Sequence, residues 1–277
     1  VTVVLGLAAA VLYGIGDFAG GIASRRHTAV TVLLLSYPVG AVLMAAMLPL
    51  FPGHLDARAF AFGLAGGAAG LLGVIVMYSL MTVAPINIVS PVTAVLAAIV
   101  PVITGVVIGE RPAAAAWFGI ALGLGAVVLV SRTTDDHPHG RVGPRILALA
   151  CLSGLGFGLY FVLLARAGSH SGLWPLVVSR FSSAALIVPL ARARGAVALV
   201  RGRMAAVVVL AGACDALANM CFLLATRHGL LSLASVLTSL YPATTVLLAV
   251  WLLREHTSPV QRVGLALAGA SIVLITM

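Results

Sequence analysis

Long apolar runs, each close to the length of a bilayer-crossing helix, fill almost the whole chain, and short polar connections separate them. A helix that crosses the hydrocarbon core needs about 20 mostly apolar residues. Ten such segments fit, at roughly 2–23, 29–50, 59–83, 87–108, 113–131, 145–166, 174–191, 204–226, 231–253 and 259–277. The pattern therefore predicts an all-α membrane protein with ten transmembrane helices. The longest polar connection, SRTTDDHPHGRVGPR over 131–145, is too short to fold by itself. No soluble catalytic, nucleotide-binding or DNA-binding domain is expected beside the helices. The first segment is too long and too polar for a signal peptide and is followed by no A-x-A site, so it reads as a retained helix.

Composition agrees with this picture. Of 277 residues, 62% are hydrophobic and 8% charged, against about 25% charged in a soluble domain, and the mean hydropathy is +1.18. The formal net charge of +9 comes from 16 basic residues, all arginine, scattered over short loops. Scattered loop arginines fit anionic lipid headgroups and not nucleic acid. Every histidine (27, 54, 137, 139, 170, 228 and 256) falls in a loop or at a helix end, so a histidine or lysine proton relay inside the membrane is excluded. Cys151, Cys214 and Cys221 lie in apolar segments without C-x-x-C spacing and read as small core residues. No G-x-x-x-x-G-K-[ST] or H-E-x-x-H string is present, so no bound nucleotide, metal or cofactor is expected.

The second half of the chain repeats the first. Shifted back by 145 positions, RHGLLSLASVLTSL (227–240) lies over TVAPINIVSPVTAV (82–95), pairing Asn87 with Ser232, Ser90 with Ser235 and Thr93 with Thr238. Glu110 falls on Glu255, Gly119 on Gly264 and Gly67 on Gly212, while YGIGDF and SGLGFG match segments one and six at a slightly different offset. Two five-helix units, 1–131 and 145–277, are thus joined by a 132–144 loop. An odd number of crossings makes the second copy enter from the opposite side, which predicts inverted repeats around a central cavity.

The paired small/polar helix starts, the interior Pro91 and Pro101 and then Pro242, the IGERP and LREHT ends carrying Glu110 and Glu255, and the glycine-spaced helices that follow resemble the EamA repeat of the drug/metabolite transporter superfamily. The resemblance implies a ten-helix bundle moving small metabolites such as amino acids, usually outward, with Glu110 and Glu255 in structural or gating roles. Two departures stand out: segment nine has one proline where segment four has two, and Arg254 replaces Gly109.

Three ionisable residues lie well inside helices: Asp17, Arg180 and Asp215. Each costs about 2.5–3.5 kcal/mol at a helix centre, so they are expected to face one another or a cavity and not lipid. Arg180 either pairs with Asp215 or Asp17 structurally, or meets a substrate carboxylate while one acid holds a proton or a substrate amine. Asp17 also resembles in position the single intramembrane acid of the small multidrug-resistance relatives, which use Glu. Asn219 shares a helix face with Asp215, and Ser232, Ser235 and Ser239 mirror Asn87, Ser90 and Ala94. Tyr13, Tyr78, Tyr160 and Tyr241 supply further rings and hydroxyls.

Gly14-Ile15-Gly16-Asp17 also spells the G-x-G-D string of intramembrane aspartyl proteases. The repeat keeps both glycines at 154 and 156 and loses the acid, and Asp215 lacks the second motif, so the protease reading is disfavoured and no enzyme is expected. The expectation is a secondary exporter of small polar or amphipathic compounds in a bacterial plasma or inner membrane, with protons as a possible coupling ion. A cationic drug/proton antiporter and an uncoupled facilitator stand as alternatives. Eleven arginines (25, 26, 132, 141, 145, 192, 194, 201, 203, 254 and 262) lie on one side of the predicted topology and four (58, 111, 166 and 227) on the other. That bias places both chain ends outside, whereas the resemblance implies both in the cytoplasm.

Overall fold

The computed structural model describes residues 1–24, 26–81, 86–131, 143–193, 195, 200–254 and 256–277. Helices run in the order α1 (Thr2–Ser24), α2 (Ala29–Met47), α3 (Ala57–Met81), α4 (Ile86–Val107), α5 (Ala114–Val130), α6 (Pro144–Arg166), α7 (Trp174–Ala193), α8 (Arg203–His228), α9 (Leu231–Ser239), α10 (Tyr241–Leu253) and α11 (Pro259–Thr276), with no strand among the described residues. Eight spans are long and apolar enough to cross a membrane, and two shorter apolar helices, Val92–Val107 and Ala114–Val130, accompany them. Local sequence sets several starts. Asp56 Oδ1 accepts the Ala59 amide at 2.6 Å to begin α3, and Ser258 and Gln261 form a reciprocal capping box around Pro259 to begin α11.

The ninth predicted segment is not one helix. It divides at Leu240 into α9 and α10, and Pro242 stands in the first turn of α10. Pro242 has no N–H to continue the helix, the Leu240 N–H turns back to Leu237 O and Thr238 O, and the chain restarts as a new helix. Pro101 does not interrupt α4, which is continuous from Ile86 to Val107.

The helices approach closely through small residues, as expected where association in lipid depends on packing. Contacts recur in both halves. Gly67 of α3 packs on Ser179 of α7, and its repeat partner Gly212 of α8 packs on Ser36 of α2. A Cβ would fall 3.0 Å from Ser182 Cβ in the first case and 2.5 Å from Ser36 O in the second. Ser183 Oγ donates to Gly67 O at 2.9 Å, and Ser153 Oγ to Gly73 O at 2.8 Å. Gly119 and Gly264, the third aligned pair, both lie in the α5–α11 contact, where Ser271 Oγ donates to Gly119 O at 2.7 Å.

The α4 and α10 ends show what the Gly109/Arg254 departure means. Gly109 has φ 102°, and the Glu110 and Gly109 amides donate back to Gly105 O and Val106 O at 2.9 and 3.0 Å. This is a Schellman ending that favours glycine. Arg254 closes α10 with φ 57°, also left-handed. The backbone turn survives without the glycine that relaxes it.

Candidate functional site

A cavity of ≈ 170 Å³ lies in the middle of the bundle, lined by residues of both halves. Its lining comes from the last half of α1 and α3 (Tyr13 to Gly20, Gly70 to Met77), the first half of α2 and α4 (Val32 to Tyr37, Thr93 and Ala97), and the middle of α6, α7, α8 and the α9–α10 junction. The cavity therefore extends from the bundle centre toward the end where α1, α3, α5, α7 and α10 finish. The other end is closed by contacts between loops. His54 N donates to His170 O at 3.1 Å, Trp174 Nε1 donates to Gly53 O at 3.2 Å, and Arg227 Nη2 donates to Gly172 O.

The buried charges meet here. Arg180, 5% exposed, places Nη1 2.5 Å from Asp215 Oδ2 and donates from Nη2 to Asp215 O at 3.3 Å. Its guanidinium stands 5.9 Å from the Tyr37 ring centroid. Asn219 Nδ2 donates to Asp215 O at 2.7 Å, and the Tyr13 hydroxyl donates to Asn219 Oδ1 at 2.6 Å. One chain of contacts thus links α1, α8, α7 and α2. Of the two pairings open to Arg180, the structure forms the one with Asp215. Asp17 lines the same cavity, is exposed to it, and has no ion-pair or hydrogen-bond partner among the described residues.

Tyr160 and Tyr241 also line the cavity. Tyr13 packs on Phe161 (centroids 6.2 Å apart) and Tyr241 (6.1 Å), which builds an aromatic floor at the bundle centre. Ser232 and Ser235 are not brought there. Ser235 Oγ donates to Leu231 O of its own helix at 2.6 Å, the common fate of a helical serine, and Ser232 sits at the start of α9. Thr238 and Ser239, one turn further along, are the α9 hydroxyls that reach the lining. The side chains of Tyr78, Asn87, Ser90 and Pro91, and Glu255 altogether, lie outside the described residues.

Glu110 has the compensating partner that an acid at a helix C-terminus requires. Its Oε1 accepts from Leu231 N at 2.5 Å and Oε2 from Ser232 N at 3.0 Å. The end of α4 therefore caps the start of α9, where negative charge is favoured. Gly105 makes room for this carboxylate, since a Cβ there would lie 2.8 Å from Glu110 Cδ.

Sequence reasoning overlooked Tyr37, Phe157, Phe161 and Thr238, all in the lining. The repeat held the signal for two of them: Phe157 occupies the position of Asp17, and Thr238 that of Thr93.

Fold and site together define a polytopic helical membrane protein with a charged, aromatic-walled central cavity. The EamA-like transporter family matches residues 1–132 and 144–277. The chain belongs to that family and is a membrane transporter of the drug/metabolite type, a group whose members are transporters and not enzymes. A crystal structure described only as that of a protein superposes with a TM-score of 0.82 at 18% identity, covering 99% of this chain and 96% of that one, a likeness of fold alone. No curated protein gives a significant sequence match.

Proposed function

We propose that the protein is a secondary transporter that exports small metabolites, amino acids or related amphipathic compounds among them, by alternating access at the interface of its two halves. In this reading α1–α8, the α9–α10 pair and α11 make ten crossings, and residues 1–131 and 145–277 are inverted units joined by 132–144. The observation that carries it is the one-sided cavity. Its walls come from both halves, its only charged described residues are Asp17, Arg180 and Asp215, and its far end is closed by loop contacts between the halves. Sites of this kind lie near the bilayer midplane of repeat transporters.

The open end carries the exposed Arg26, Arg145, Arg192, Arg201, Arg203, Arg254 and Arg262. This distribution supports a cytoplasmic mouth, the side from which an exporter in a bacterial plasma membrane loads. Asp17, facing the cavity and without a partner among the described residues, is the residue proposed to exchange a proton during transport. The test is flux in proteoliposomes of known protein orientation under an imposed proton gradient. Saturable flux that follows the gradient in wild type and loses that dependence in Asp17→Asn is the expected result. Saturable flux indifferent to the gradient in both makes the protein a facilitator, and non-saturable leakage removes the transporter mechanism.

A further inference from the structure

We propose that Gly20 sets the width of the cavity's mouth, as the unfilled position in an apolar collar, and thereby limits the bulk of the compounds that enter. What this means for the compounds transported rests on the transport reading. The collar itself does not.

The polar groups lie deep and the mouth is apolar. A helix rises about 1.5 Å per residue, so Gly20, one turn before the end of α1 at Ser24, stands nearer the open end than Asp17 and Tyr13 of the same helix. Val32 and Leu33 join the lining near the start of α2, and Val74 and Met77 near the finish of α3, at that same end. Arg180, Asp215 and Asn219 come from the middle of α7 and α8. Three of the collar side chains are held from behind. Leu33 clusters with Leu71 and Ile187, Val74 packs against that cluster, and Val32 clusters with Ala23 and Val208.

Helix packing does not account for the glycine at position 20. At the other lining glycines an added Cβ would fall 3.3 Å from Ala211 O (Gly16), 3.1 Å from Tyr160 Cδ2 (Gly70) or 2.5 Å from Ser36 O (Gly212), whereas at Gly20 it would meet no described atom within 4 Å. Glycine is among the poorest helix formers, so its presence here calls for another reason. The repeat supplies one. The offset that aligns Gly14 with Gly154 and Asp17 with Phe157 sets Gly20 against Tyr160, whose ring packs on Gly70 and is 8% exposed. Because α6 runs from the open end inward and α1 runs outward, one half puts a ring toward the closed end where the other leaves a hydrogen toward the open one. A side chain at position 20 would have the mouth to occupy.

The test is the labelling of a cysteine behind the collar by two uncharged reagents, methyl and benzyl methanethiosulfonate. It uses the full chain in detergent with Cys151, Cys214 and Cys221 replaced by alanine. Phe157→Cys, on the cavity wall midway along α6, is the reporter, and Asp17→Cys, one turn behind Gly20, takes its place if that variant does not fold. The quantity read is the ratio of benzyl to methyl rates, which unfolding would move toward that of a free thiol. Gly20→Leu should lower the ratio by about tenfold or more while the methyl rate holds. Gly21→Leu, at an exposed neighbouring glycine outside the lining, should leave the ratio as it was. An unchanged ratio in Gly20→Leu, an equal fall in Gly21→Leu, or a reporter that neither reagent reaches overturns the proposal. Labelling requires no flux: loss of the collar leaves the transport reading to its gradient test, and failure of that test leaves the collar standing.

Discussion

The two halves of the molecule share a backbone plan and divide the chemistry between them. Gly14 and Gly16 of α1 and Gly154 and Gly156 of α6 all sit in close helix contacts, yet the next residue is Asp17 in one half and Phe157 in the other, and both line the cavity. Since Gly67 meets Ser179 and Gly212 meets Ser36, the residues that follow those serines, Arg180 and Tyr37, are counterparts too. They face each other as guanidinium and ring. Asp215 likewise answers to Gly70, 145 positions earlier, which gives its space to Tyr160. Packing geometry tolerates little change, because a methyl group at these glycines would overlap a neighbour. The cavity wall tolerates more, and the repeats diverged at residues that line it.

The comparison can be broken first at the ion pair that has no counterpart. Asp215→Ala leaves Arg180 buried without its anion. The expected loss is near the lower end of about 3–5 kcal/mol, because the Asp215 side chain keeps 37% of its surface accessible. Thermal unfolding in detergent measures it, and the double variant Arg180→Met, Asp215→Leu should regain most of the loss. If Asp215→Ala melts like wild type, the pair does not hold α7 to α8.

A smaller effect is expected at the link between halves that Glu110 makes. Glu110→Gln removes the charge and one of two acceptors at the start of α9, worth about 1 kcal/mol. Hydrogen exchange at Leu231 and Ser232 should quicken while exchange within α8 stays as it was. Unchanged protection at those two amides would mean that the cap is dispensable.

The smallest effect sharpens the Gly109/Arg254 contrast. A side chain at left-handed φ costs about 1 kcal/mol, and glycine's greater freedom in the unfolded chain offsets part of any gain. Arg254→Gly should raise the melting temperature slightly, and a fall would show that the exposed arginine makes a contact worth more than the strain it carries.

Much of the fold was legible because the relevant physics is local. Twenty-residue apolar runs, the 145-residue repeat and the glycine spacing are properties of the chain read in order, and they led to the helices, the family and the presence of Asp17, Arg180 and Asp215 in apolar surroundings. The break at Leu240 was only half legible: Pro242 announced a disturbance, but prolines 91 and 101 announced the same in α4, where Pro101 lies within an unbroken helix.

Which charge pairs with which could not be read that way. Arg180 had two acids to choose from, and only the packing of α7 and α8 against α2 brings Asp215 to 2.5 Å and leaves Asp17 on the cavity wall. Nor could spacing tell Ser235, turned back on its own helix, from Thr238 on the cavity wall, since both lie on a polar stripe. Sequence alone determined which residues must avoid lipid, because that cost belongs to each side chain separately. The tertiary structure decided where they went instead, because an ion pair or a cavity wall exists only once distant helices have fixed their distance and rotation.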